Sequence, residues 1–173
     1  MSIGSLYSHT GRQRKRRLKP SDLIGIARLL ARRGRRGKPR QSNLKIAVST
    51  AYYAMFHALC WTCADAFIGK TKALRSQRAW RQAYRSVEHG FAKKQCRNES
   101  ELARFPGDIR DFANLFAVLQ QKRHLADYDP FSKFRRSEVL FLVDSAEAAI
   151  KELQRSDIKD KRAFVAWTTM KNR

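Results

Sequence analysis

Apolar residues return at three- and four-residue spacings along most of the chain, the repeat of an amphipathic helix, and no stretch shows the two-residue alternation of a strand. The first such stripe, Leu23, Ile26, Ala27, Leu30 and Ala31, follows the capping triplet Pro20-Ser21-Asp22 and predicts a helix over residues 20–33, stopped by Gly34. Residues 42–68 contain neither Gly nor Pro. Leu44, Ala47, Val48, Ala51, Met55, Ala58 and Leu59 mark one face of that stretch, and Ile46, Phe56, Cys60 and Phe67 mark another. A helix that is apolar on more than one face belongs at the centre of a bundle. Trp80, Tyr84, Val87 and Phe91 predict a third helix over residues 76–94. Pro106-Gly107 breaks the chain and Asp108 opens a fourth helix. Asp129-Pro130 closes that helix, because the residue before a proline is pushed out of helical geometry. A fifth starts at Ser137-Glu138 and runs through Ile150 and Leu153, and the tail either extends it or forms a short separate helix.

These elements predict an all-α, up-and-down bundle of four to five main helices in a single domain, a size that suits 173 residues. Residues 20–155 carry the bundle, and residues 156–173 are read as a C-terminal helical extension or tail. Residues 1–19 lack sustained periodicity and contain the run R-Q-R-K-R-R-L-K, so they read as a mobile basic arm. With 43% apolar residues, including 10 Phe, 5 Tyr and 3 Trp, the chain has the means to build a core.

Charge adds what periodicity does not. There are 37 Lys+Arg against 15 Asp+Glu, a formal net charge of +22. A field of that sign concentrates polyanions, RNA or DNA first and anionic lipid second. The backbone-gripping candidates are Arg14, Lys15, Arg16 and Arg17 in the arm, and Arg35 and Arg36 in the Gly-rich loop of residues 32–40. Arg78, Arg81 and Arg85 join them, lying with Arg75 at helical spacing on the third helix. The plainer reading of that last stripe is a solvated face. Cys60, Cys63 and Cys96 are too few for a disulfide framework, and the Cys60-Trp61-Thr62-Cys63 spacing lies inside a helix, where thiols pack. No metal, cofactor or membrane contact is expected, and the chain reads as cytoplasmic.

The fourth helix holds the sharpest candidate chemistry. Ile109, Phe112, Phe116 and Gln120 share a face with Arg123 and Asp127, so an ion pair continues what began as an apolar stripe. Charged groups on a core-facing stripe cost free energy unless paired. His124 and Tyr128, also four apart, lie at its flank. The plainer alternative is a helix-terminal salt bridge that pins the following loop. On the central helix Ser49, Tyr53 and His57 follow at four-residue steps, so their polar tips form a line able to border the same groove. Tyr53 and His57 are secondary candidates, and Ser49 reads as a satisfied core polar group.

The stretch K-R-H-L-A-D-Y-D-P over residues 122–130, preceded by S-T-A-Y-Y-A-M-F-H-A-L over residues 49–59, resembles HEPN domains (higher eukaryotes and prokaryotes nucleotide-binding) across residues 18–153. The resemblance implies an up-and-down helical bundle that is often dimeric. Members of that family are metal-independent endoribonucleases of toxin, defence or RNA-processing systems, or non-catalytic nucleotide- or RNA-binding modules. The partners it implies are RNA, a second copy of the chain, and a nucleotidyltransferase or antitoxin. Ribonuclease members carry a His after an Arg and four to six intervening residues; here Arg123 is followed at that distance by Tyr128, and its histidine neighbour is the adjacent His124. Under the resemblance Arg123 holds phosphate, His124 moves a proton, Asp127 orients one of them and Tyr128 donates a hydrogen bond.

Overall fold

The Gly- and Pro-free stretch is the axis of the molecule. In the computed structural model, which describes residues 18–32 and 37–171, helix α2 (Gln41–Ile68) is 28 residues long and packs against four other long or terminal helices. These are α1 (Pro20–Ala31), α6 (Gly107–Tyr128), α7 (Arg136–Arg155) and α8 (Ile158–Thr169). Between α2 and α6 the chain makes a 3-10 turn (Lys72–Leu74) and three short helices, α3 (Gln77–Arg85), α4 (His89–Gln95) and α5 (Glu99–Leu102). All regular structure among the described residues is helical. The candidates Arg14, Lys15, Arg16, Arg17, Arg35 and Arg36 lie outside the described residues.

Small residues let the helices approach α2 closely: Ala47, Ala51, Ala54 and Ala64 are fully buried along it, interleaved with Val48, Tyr52, Met55 and Leu59. Phe112 and Phe116 of α6 face this surface, and Phe112 meets Phe164 of α8 edge-on with ring centroids 6.1 Å apart. The helix ends follow local chemistry. Ser76, Asn98 and Asp157 each accept a hydrogen bond from a first-turn N–H of α3, α5 and α8, and α2 stops at Gly69, whose φ of +103° favours glycine.

Three expectations need correction. Ile26 is 47% exposed, and Ile24 takes its place in the core, because the face formed by Ile24, Ala27 and Ala31 is the one turned to α2. Ile46 and Phe67, expected on a buried second face of α2, are exposed at 52% and 38%. The third helix is not continuous: Ser86 turns its hydroxyl back onto the Ala83 carbonyl at 2.8 Å, Glu88 is extended, and Val87 drops into the core before α4 begins. Of the two forms expected for the tail, the structure has the separate helix, α8, which packs into the core with Phe164, Val165 and Thr168 fully buried.

Beyond α6 the chain is tied back to the start of α2. Gln41 donates to the Phe134 carbonyl at 3.0 Å and accepts from the Phe134 N–H at 2.9 Å, while the Lys45 ammonium donates to the Asp129 carbonyl at 2.7 Å. These bonds hold the last turn of α6 against α2, the region where the candidate chemistry lies.

Candidate functional site

Helices α2 and α6 run antiparallel, and their polar residues meet in register. Ser49 donates to the Asp127 carboxylate; one turn further along α2, the Tyr53 hydroxyl accepts from Arg123 Nη2 at 3.0 Å. The four-residue steps predicted on each helix thus become cross-helix partners, and Ser49, buried as expected, is satisfied by the Asp127 carboxylate. Arg123 Nε lies 2.6 Å from Asp127 Oδ2 as an ion pair, without the alignment of a hydrogen bond. Both side chains are about a quarter exposed, 23% and 27%, so the pair sits at the edge of the bundle within reach of a ligand.

Aromatic rings surround the guanidinium. Its carbon lies 5.4 Å from the Tyr53 ring centroid, 5.8 Å from Tyr128 and 6.0 Å from Tyr52. Such rings attract a cation and restrain its plane, leaving the outer edge to bind two oxygens. Burial pulls the Arg123 pKa down, but Tyr53, Asp127, Tyr128 and Tyr52 more than offset it, so the group stays cationic. One turn before Arg123, the buried Gln120 Oε1 has no hydrogen-bond partner among the described residues.

The structure brings a residue to this site that sequence spacing did not single out. The break after α3 turns α4 so that His89 Nδ1 lies 2.6 Å from the Tyr52 hydroxyl, and its ring stacks on Phe56 with centroids 3.5 Å apart. Burial lowers the His89 pKa, and Arg123 and His57 push the same way. Burial likewise pushes the Tyr52 phenol up, so it stays a protonated donor near neutral pH. No local spacing marks His89, because its contact with Tyr52 is long-range, 37 residues apart in sequence.

His57 is half-buried, hydrogen-bonded to the Tyr84 hydroxyl and stacked on that ring; desolvation lowers its pKa and raises that of Tyr84 to about 12. It therefore borders the same line of polar groups on the α3 side, away from the Arg123–Asp127 pair. His124 is exposed and its ring tilts against Tyr128 with centroids 5.0 Å apart; Tyr128 is 66% exposed. Lys122 pairs with Glu138 of α7 at 2.5 Å.

Arg78, Arg81 and Arg85 lie exposed along α3 and line a surface recess with Gln82 and Ser86. Arg75 leaves that stripe: its guanidinium binds Asp65 at 2.9 Å and the Gly69 carbonyl at 2.7 Å and stacks on Trp80, with 3% of the side chain exposed. The three cysteines are free and buried, and burial raises their pKa, that of Cys96 to about 12. Among the described residues no three His, Cys, Asp or Glu side chains are grouped to hold a metal ion, and no helix is long and apolar enough to cross a membrane.

Fold and site together define an all-helical bundle with a caged arginine–aspartate pair at its edge. No protein-family model matches the chain, and no curated protein or solved structure matches it either.

Proposed function

We propose that the protein is an RNA-directed member of the HEPN class, a cytoplasmic protein that uses Arg123 as its phosphate anchor and acts as a metal-independent endoribonuclease. The observation that carries this reading is the Arg123 guanidinium, fixed by Asp127, Tyr53 and three aromatic rings at a partly open edge, with the His89 imidazole on the neighbouring Tyr52. The net charge of +22 and the exposed Arg78, Arg81 and Arg85 support a polyanionic partner.

Cleavage without metal needs a base for the 2′-hydroxyl proton, a cation for the phosphate oxygens and an acid for the leaving 5′-oxygen. The 2′-oxygen forms a bond to phosphorus as the phosphorus–5′-oxygen bond breaks, giving a 2′,3′-cyclic phosphate and a 5′-hydroxyl. Arg123 is charged and oriented for the phosphate, with Asp127 as its positioning residue. His124 and His89 are the imidazoles available for the two proton transfers, and Tyr128 supplies a further hydrogen-bond donor. His89 takes up the role that the family's motif gives to a histidine beyond the arginine, a position occupied here by Tyr128.

The reading includes a homodimer in which two copies of residues 122–130 face one groove. Val118, Leu125, Tyr128 and Phe131 expose apolar surface along α6 and the turn after it, Phe131 is 88% exposed, and the Tyr128 ring lies 5.8 Å from the Arg123 guanidinium carbon.

A second reading, a non-catalytic RNA- or nucleotide-binding module that pairs with a nucleotidyltransferase or antitoxin, is favoured by the absence of a histidine at the motif's usual distance. The experiment is cleavage of end-labelled RNA in excess chelator by the wild-type chain, Arg123→Ala, His89→Ala and His124→Ala. Cyclic-phosphate products that disappear with Arg123→Ala support the enzyme. RNA bound but left intact by the wild-type chain supports the module.

A further inference from the structure

A cavity of about 580 Å³ opens on the side of the bundle formed by α1, α2, α7 and α8, and no residue of the Arg123 cluster lines it. Its floor is apolar: Ile24, Ala58 and Ile150 are nearly fully buried there, and Trp61 and Ala66 form a wall. A volume of about 300–1,000 Å³ with an apolar lining and a few polar groups is the usual form of a small-molecule site.

The charges around it do not balance. Five cations, Lys19, Arg28, Lys70, Lys151 and Lys161, line the cavity against two acids, Asp65 and Glu147. Both acids are already engaged. Asp65 accepts from Arg75 and from Trp80 Nε1 at 2.8 Å, and Glu147 pairs with Arg28 and Lys151, each at 2.6 Å. Lys161 is different. It is 8% exposed, and its ammonium donates to the neutral Gln154 carbonyl at 2.9 Å, with no carboxylate at ion-pair distance among the described residues. Burial and the nearby Lys70 both disfavour its charge, while Asp157 and Asp108 act the other way. An ammonium on a largely buried residue, with a neutral carbonyl as its hydrogen-bond partner, is placed to take an anion.

Gly25 gives an independent sign. It lies within α1, lines the cavity, and a Cβ built on it meets no atom within 4 Å. Its backbone is helical, so conformation does not demand glycine, and glycine inside a helix is the less stable choice. A side chain there would enter open space at the rim of the cavity that Gly25 lines.

We infer that this cavity binds an amphiphile with an anionic head, a carboxylate or phosphate held by Lys161 and Lys70, and an apolar body lying over Ile24, Ile150 and Trp61. The site is independent of the proposed action on RNA.

Calorimetric titration below the micelle concentration tests it with four probes of one chain length: dodecanoate, dodecyl phosphate, dodecanol and dodecyltrimethylammonium. Saturable one-to-one binding of one or both anions is expected, and the preferred anion distinguishes a carboxylate from a phosphate source. Dodecanol should bind about ten-fold or more weaker, and the cationic probe not at all. Lys161→Met keeps the stem and removes the charge, and should weaken the anions by about ten-fold. Gly25→Leu should intrude on the cavity and weaken binding in a chain whose helix is strengthened, while Arg123→Ala should bind as wild type. Equal affinity for dodecanol and the anions would overturn the inference, since the cations would then play no part; so would anion affinity unchanged in both Lys161→Met and Gly25→Leu, since attachment would then be to the general basic surface.

Discussion

His89 Nδ1 lies 2.6 Å from the Tyr52 hydroxyl, a contact that spans 37 residues of sequence and joins α4 to the central helix. Its consequence is electrostatic as well as structural. Tyr52 is buried and keeps its proton, so it is set to donate to an unprotonated His89 Nδ1; protonating the ring removes that acceptor. Burial first, then Arg123 and His57, lower the His89 pKa below its ordinary value, and burial lowers that of His57.

The sign of the resulting pH dependence follows from linkage. A histidine whose folded pKa lies below its unfolded value of about 6.5 is held neutral by folding, so the unfolded chain binds more protons as pH falls. The stability these two residues contribute is present above about pH 7 and is lost as pH drops through about 6.5 toward their lowered folded values. Urea midpoints should fall between pH 8 and pH 5, and the fall should shrink in the double variant His57→Gln, His89→Gln. The lowered pKa of Glu147 acts below 4.5 and leaves this window clear. A midpoint independent of pH in the wild-type chain would remove the coupling.

The register of α2 against α6 predicts similar stability costs for its polar residues but an unequal effect on cleavage. Tyr53→Phe removes one neutral acceptor from Arg123 and should lower stability by about 1 kcal/mol; Ser49→Ala, which takes a donor from a partly exposed carboxylate, should cost about the same. Arg123→Ala should cost little more, because the ion pair is about a quarter exposed and solvent screens it. Its effect on RNA cleavage should be far larger, on the order of 10²–10³ in rate, as for loss of a group that stabilises transition-state charge. Thermal melts beside single-turnover cleavage rates separate the two, and a rate loss no larger than the melt accounts for would argue against a phosphate role.

The basic stripe on α3 is checked by salt. If Arg78, Arg81 and Arg85 each contact a phosphate of single-stranded RNA, replacing all three by Ala should reduce the slope of log affinity against log salt by about 2. Fluorescence anisotropy with a labelled oligonucleotide at several salt concentrations measures it. An unchanged slope assigns those side chains to solvent.

How much of this was readable in advance depends on the range of the interaction. The central place of α2 was legible, because a stretch of that length without Gly or Pro and with alanines on several sides has few alternatives. The Arg123–Asp127 pair was legible because a four-residue spacing is a local fact, and so was the polar line Ser49, Tyr53, His57. Which partners those lines meet was not. The interruption at Ser86 depends on a hydroxyl turning back on its own helix while Val87 finds the core, and neither is encoded in the period of Trp80, Tyr84 and Phe91. The choice of Ile24 over Ile26 was hidden for a similar reason: both fit a helical stripe, and the packing against α2 decides between them.

The exposed apolar group near the site carries the last prediction. Val118, Leu125 and Tyr128 fall along one side of α6, and Phe131 follows in the turn, where Phe131 N–H bonds Asp129 and the Ser132 hydroxyl bonds the Leu125 carbonyl. Four such residues are more apolar than water-facing positions require, and a second copy of the chain would cover them, with Tyr128, whose ring lies 5.8 Å from the Arg123 guanidinium carbon, at the seam. Sedimentation should show a dimer at micromolar concentration, converted to monomer by Leu125→Ser with Phe131→Ser, two surface changes that leave the helical circular dichroism unaltered. Cleavage by the paired variant should fall in step with dimer content and recover as protein concentration is raised. A wild-type chain that sediments as a monomer at every concentration, with cleavage rate per chain independent of concentration, would place the whole site within one copy.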